Sequence, residues 1–129
     1  MIDGFIYSLI NANALVQANM GDDVYPGVVP ENIKGAAIRY VVSDSPSKFD
    51  SGGPESKQKS SIQIDVFHKD YSLNRQIGSS LHKQLHGYKG AQNATEISLL
   101  EVLDTDLTFD SKTREFRTTI TLNVTYRET

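Results

Sequence analysis

The sequence predicts an α+β domain: an antiparallel or mixed sheet of about four to five strands with two helices packed on one face. Three patterns support this. An amphipathic stretch opens the chain, a second one with leucine and isoleucine four residues apart lies past its middle, and the last third is two long alternating runs joined by a turn. Helix-like and strand-like segments come in runs instead of strict alternation, which favours α+β over a regular parallel α/β fold. A chain of 129 residues fits one domain, 1–129, able to bury roughly two thirds of the surface its unfolded form exposes.

Ile2, Phe5, Ile6, Leu9 and Ile10 recur at the spacing of one helix face, and Asp3 lies where the positive end of the helix dipole favours an anion. Asn11 and Asn13 interrupt that stripe. Asn13 is placed to cap a second short turn through Ala14, Leu15 and Val16, so a break is expected there. Turn chemistry at Gly21-Asp22-Asp23 leads into a short strand, Val24-Tyr25, ended by Pro26. Ala36 to Ser43 alternates as a longer strand. Asp44 to Lys59 then collapses to Ser, Lys, Pro, Asp and Gly around Ser51-Gly52-Gly53-Pro54, with Phe49 its only large apolar residue. It can bury too little to offset the entropy of ordering, so a flexible loop is expected at 44–59.

Ile62, Ile64, Val66 and His68 alternate with Ser61, Gln63, Asp65 and Phe67 in the next strand. Asp70 or Ser72 can cap the helix that follows, whose Leu73, Ile77, Leu81 and Leu85 form a narrow stripe suited to docking on a sheet. Gly87 offers a left-handed stop, and Gly78 in mid-helix implies a close backbone approach, because it costs about 1 kcal/mol relative to Ala. Glu96 to Phe109 and Arg114 to Arg127 read as a hairpin turning at Asp110-Ser111-Lys112-Thr113. In its second strand Phe116, Thr118, Ile120, Leu122, Val124 and Tyr126 share the core face, opposite a polar face rich in Thr and Arg.

Composition narrows the function classes. A net charge of -3 lacks the basic field that general nucleic-acid binding needs. The absence of cysteine removes disulfides, thiolate ligands and a cysteine nucleophile together. Met1 to Ile10 carries Asp3 and no Lys or Arg, so it lacks the basic start of a secretory signal and is expected to stay on the chain. No 18 apolar residues run together, and no helical membrane span is expected.

The candidate chemistry does not converge. His82 and His86 stand one helical turn apart, but Lys83 replaces the catalytic Glu of a zincin, and the simpler reading points both rings to solvent. His68, at a strand end, reads as structural. In the densest carboxylate cluster, Glu101, Asp104 and Asp106, alternation is read as splitting Asp104 from Glu101 and Asp106, and a divalent cation would want oxygens converging from several elements. Ser51-Gly52-Gly53 lacks the Gly-Lys-Ser/Thr of a phosphate loop, and there is no Gly-x-Ser-x-Gly elbow. No catalytic, metal or cofactor-binding residue is assigned, and no cofactor is expected.

Read in order, the apolar N-terminal helix, Val24-Tyr25-Pro26, Arg39-Tyr40-Val41-Val42, the Gly-rich loop and Ile62-Gln63-Ile64-Asp65-Val66-Phe67 resemble the tail-terminator, or tail-completion, family of long-tailed phages. Leu85-His86-Gly87 matches the family's Leu-x-Gly helix end. Arg117, Ile120, Leu122, Val124 and Tyr126 correspond loosely to its terminal strand. The chain departs from the family at Phe67-His68, where many relatives carry Trp and a small residue. The resemblance spans nearly the whole chain.

It implies a non-enzymatic structural protein that forms a ring, typically of six copies, on the head-proximal end of the tail tube. Such a ring stops tube polymerisation and offers a surface to the head-completion or connector protein. The implied location is the virion tail, after assembly in the bacterial host cytoplasm, with no membrane partner and with DNA passing through the lumen without specific binding. A near-neutral chain suits that passage, since a strongly basic lumen would hold the genome. The partner-binding residues expected in the loop are Lys48, Phe49, Asp50, Lys57 and Lys59; those expected at a subunit or tube interface on the polar strand face are Arg39, Arg114, Arg117 and Arg127. The other readings are a head-completion or neck connector protein, a small α+β protein-binding module, and a small hydrolase or nuclease using Asp104, Asp106 or His82. If the loop orders on contact with its partner, deleting Lys48 to Lys57 should abolish normal tails, measured as tail length by electron microscopy and as infectivity.

Overall fold

A computed structural model describes residues 2–31, 35–48 and 57–128, with the backbone alone for 44–48. The helices are α1 (Ile2–Asn11), α2 (Ala14–Asn19) and α3 (Tyr71–Leu85). The strands are β1 (Val24–Pro26), β2 (Ala37–Lys48), β3 (Gln58–His68), β4 (Gly90–Gln92), β5 (Thr95–Asp110) and β6 (Glu115–Glu128). They form one six-stranded sheet in the order β1-β2-β3-β6-β5-β4. The sheet is mixed, since β1 runs parallel to β2 while every other pairing is antiparallel.

The expected α+β class holds, with six strands in place of four to five and three helices in place of two. The strand not foreseen is β4, whose three residues Gly-Ala-Gln carry no alternating apolar signal. The additional helix is α2, where the predicted break became a separate element. Asn13 caps it, its Oδ1 accepting from the Leu15 and Val16 N–H groups at 3.0 and 3.2 Å. The same side chain donates through Nδ2 to Ser80 Oγ at 3.0 Å and Gln84 Oε1 at 2.8 Å, and Gln84 donates to the Leu9 carbonyl at 2.6 Å. One nearly buried amide thus starts a helix and ties the α1–α2 corner to α3.

All three helices lie on the same side of the sheet. Ile2, Phe5, Ile6 and Ile10 of α1, Val16 of α2, and Ile77, Leu81 and Leu85 of α3 join Ile38, Ile62, Ile64, Val66, Ile120, Leu122 and Val124 in one core. The predicted stripe on α3 is only partly right: Leu73 is half-buried, and the inner face is completed by Asn74 and Gly78. Gly78 explains itself. A Cβ there would come within 2.8 Å of Thr118 Cγ2 on β6, so the helix backbone rides directly on the strand. Asp70 supplies the N-cap, accepting from the Leu73 N–H at 2.9 Å, and Gly87 takes the left-handed conformation after the last turn with φ 80°.

Two strand details depart from the expected boundaries. β2 continues to Lys48 and β3 begins at Gln58, with Asp44 opposite Ser60 and Lys48 opposite Gln58. Both ends of the segment read as a 44–59 loop are therefore paired strand, and 49–56 lie outside the described residues. Arg114, expected to open the last strand, sits in the hairpin turn with φ 57°.

Asn74 is fully buried and donates to the carbonyls of Val66 at 2.9 Å and Phe116 at 3.1 Å, while its own oxygen accepts from the Thr118 hydroxyl. Truncating it would strand three polar groups, each costly to leave unpaired in the interior. Asn74→Ala is expected to lower unfolding free energy by about 2 kcal/mol, measured as a shifted urea midpoint with an unchanged slope.

Candidate functional site

With the helices on one side, the other face of the sheet carries no covering element among the described residues. Registered strands build it row by row. Arg39 lies beside Asp65 and Asp65 beside Thr119; Phe67 lies beside Arg117; Lys59 lies beside Thr125. β5 contributes Glu96, Glu101, Asp104, Asp106, Thr108 and Asp110, opposite Arg127, Asn123, Thr121, Thr119, Arg117 and Glu115 of β6.

Simple alternation along β5 does not survive. The register slips between Ile97 and Leu99 and again between Val102 and Asp104. The second slip makes Leu103 a bulge residue, 56% exposed, and returns Asp104 to the face that holds Glu101. Glu101, Asp104 and Asp106 therefore share one face as an acidic column, against the separation that strict period-two reading gave. Each pairs opposite Asn or Thr, and among the described residues no three His, Asp or Glu side chains are grouped closely enough to hold a metal ion.

Among the described residues, the one deeply buried charge on this face is Asp65, at 0% exposure. Arg39 donates to its Oδ2 from Nε at 3.0 Å and again from Nη2. Gln63 Nε2 reaches the same oxygen at 3.0 Å, and the Thr119 hydroxyl donates to Oδ1 at 2.7 Å. Burial pushes this carboxyl up, but the hydrogen bonds from Arg39, Thr119 and Gln63 together with the Arg39 charge outweigh it, leaving the group below its ordinary value. The Arg39 guanidinium also lies 5.8 Å from the centroid of the Phe67 ring. Arg39 is therefore engaged by contacts within this chain.

The other expected residues are spread out. Arg117 is exposed on the open face near the hairpin turn, and Arg114 is in the turn with its guanidinium 5.9 Å from the Phe109 ring centroid. Arg127 is ten residues further along β6 than Arg117, roughly 33 Å away at strand rise, so the four arginines form no single patch. Lys57 is exposed beside the start of β3, and Lys59 lies within it. The side chain of Lys48, and Phe49 and Asp50 altogether, lie outside the described residues.

His82 and His86 do not simply face solvent as expected. His82 Nδ1 is 3.2 Å from the Thr105 hydroxyl, and His86 Nδ1 accepts from the Val102 N–H at 3.0 Å. With Nδ1 accepting, a neutral His86 carries its proton on Nε2 and has no lone pair left for a metal. These imidazoles fasten the end of α3 to the bulged part of β5. His68 is likewise structural, accepting from the Asp70 N–H at 2.9 Å.

Two shallow grooves occupy the Phe67 end of the open face. One, of about 550 Å³, runs along the hairpin turn past Phe67, Thr108, Asp110, Glu115 and Arg117. The other, of about 290 Å³, lies between Phe67, Glu115 and Arg39 and the segment from Val28 to Glu31.

No family model matches the chain and no curated protein matches it. A solved chain in the virion of a native gene transfer agent particle has a similar fold, with a TM-score of 0.71 and 17% identity, covering 95% of this chain and 91% of that one. At that identity the likeness establishes a shared fold along almost the full length of both chains.

Sequence reading missed Tyr71, Arg75, Phe109 and Val28. Tyr71 and Phe109 are each about half exposed and pack against Phe116 with ring centroids 5.3 and 4.9 Å away. The available signal was two aromatic residues beyond the apolar stripes, one at a helix start and one at a hairpin turn.

Removing Asp65 would leave a guanidinium held over the sheet without its partner. Asp65→Ala is expected to cost about 2 kcal/mol near neutrality, the scale of charged hydrogen bonds whose donor Arg39 is partly solvated. A depressed carboxyl contributes stability above its unfolded value, and that contribution is lost as pH falls through the folded one. The gap between wild type and variant should therefore be constant above about pH 5 and shrink below about pH 4, read from urea midpoints across that range.

Proposed function

We propose that this chain is a non-enzymatic tail-completion protein of a long-tailed phage or similar particle. In this reading it forms a ring, of about six copies, at the head-proximal end of the tail tube, stops further tube growth and presents a surface to the head-completion protein. The observation that supports this most is the shared fold, over nearly the whole of both chains, with a component of a gene transfer agent virion. The motif-level resemblance to tail terminators points the same way. The polar groups at Asn13, Asn74, Asp65 and His86 are engaged in holding elements together.

A ring built from a heterologous contact has two chemically distinct ends, which suits a part that meets a tube on one side and a connector on the other. Within this reading Lys48, Phe49, Asp50, Lys57 and Lys59 form the segment that meets the tube or a neighbouring subunit. Arg117 and Arg127 lie on the open face available for assembly.

Light scattering and negative-stain microscopy of the purified chain, alone and with tail tube protein from the same genome, test the reading. Closed rings of about six subunits, seated on tube ends when tube is present, are the expected result. A chain that stays monomeric in both conditions overturns it.

A further inference from the structure

If the chain forms a ring as proposed above, its subunits need two different surfaces that fit each other. Two exposed patches meet that need. The first is the aromatic cluster at the start of α3 and the end of the β5–β6 hairpin. Tyr71 is 47% and Phe109 46% exposed, both packed on Phe116. Arg75 lies 5.8 Å from the Tyr71 ring centroid, and Arg114 lies 5.9 Å from that of Phe109. The second is the segment after β1, Val28-Val29-Pro30-Glu31, in which Val28 is 76% exposed.

Their chemistry is complementary. Aromatic rings rimmed by guanidinium groups are the composition of interface hot spots. A Val-Val-Pro segment offers apolar surface whose proline has its φ already restricted, so less entropy is lost on docking. Glu31 at its end carries the charge opposite to Arg75 and Arg114. Either patch docking on its own kind would oppose like charges, arginines in one case and glutamates in the other. The mixed contact is therefore favoured over a two-fold dimer.

Their placement suits a ring. β1 and β5 lie toward opposite edges of the sheet. Yet the groove beside Val28 and the groove along the hairpin turn share Phe67 and Glu115, so both patches lie at the same end of the strands. A contact between two different patches is heterologous, the kind that gives a ring when its rotation closes. We infer that the Val28-to-Glu31 segment of one copy seats on the Tyr71–Phe109–Phe116 cluster of the next, with Glu31 reaching Arg75 or Arg114.

The native chain has no cysteine, so two single variants, Val28→Cys and Ser72→Cys, report the contact without background. Mixed and treated with a short bismaleimide under the conditions that give rings, they should yield a covalent dimer that neither forms alone. Adding Glu31→Lys to the first should lower the yield about fivefold, and adding Arg75→Glu to the second should restore it. Rings by light scattering without a mixed dimer, or equal cross-linking of either variant with itself, would overturn the contact while leaving the ring reading in place. No assembly in any condition would overturn the ring reading as well.

Discussion

The helical side of this molecule depends on how closely α3 can approach β6. Gly78 removes the side chain that would hold the two backbones apart, and Thr118 fills the space. Asn74, one turn earlier, satisfies two strand carbonyls that the helix would otherwise cover without replacing their water. Contact and polar satisfaction have to occur together, because a helix seated this tightly leaves no room for a bridging solvent molecule. From that fixed position Ser80 and Gln84 reach Asn13 and Leu9, which sets the corner between α1 and α2. The placement of three helices thus follows from one close crossing.

Much of this was legible in the sequence for a specific reason. β6 is covered on one face along its whole length, so Thr118, Ile120, Leu122, Val124 and Tyr126 alternate without interruption. The helix of Ile2 to Ile10, the cap at Asn13, the close approach at Gly78 and the stop at Gly87 were equally readable, each having a residue type whose local physics is narrow. What stayed hidden depended on partners distant in sequence. Three residues of β4 are held as a strand by Thr95 to Ile97, and nothing in the sequence around Asn74 marks the two strand carbonyls that it satisfies. The roles of His82 and His86 were hidden for the same reason, since their ligands are a hydroxyl and a backbone N–H on β5.

The two faces of the sheet solve different problems. One is sealed by helices and stabilised by apolar burial. The other, which no helix or strand among the described residues covers, is held by side chains that lie flat: Arg39 spans Asp65 and Phe67, and Gln63 and Thr119 close around the same carboxylate. The open face is therefore organised at its centre by contacts within the chain, while exposed residues such as Arg117 and the acids of β5 sit around that centre. A surface arranged in this way can meet another protein without first having to become ordered, which lowers the entropic cost of assembly.

The bulge at Leu103 has a further bearing on how such chains diverge. One residue inserted in a strand exchanges the inward and outward positions of everything beyond it, so it works as a parity switch for half of β5. Pairing Leu103 into the ladder, with every residue kept, would carry Asp104 and Asp106 to the helical side and bring Thr105 and Leu107 to the open face, with the composition unchanged. Two relatives could then share most of this strand in an alignment and still present opposite surfaces to their neighbours.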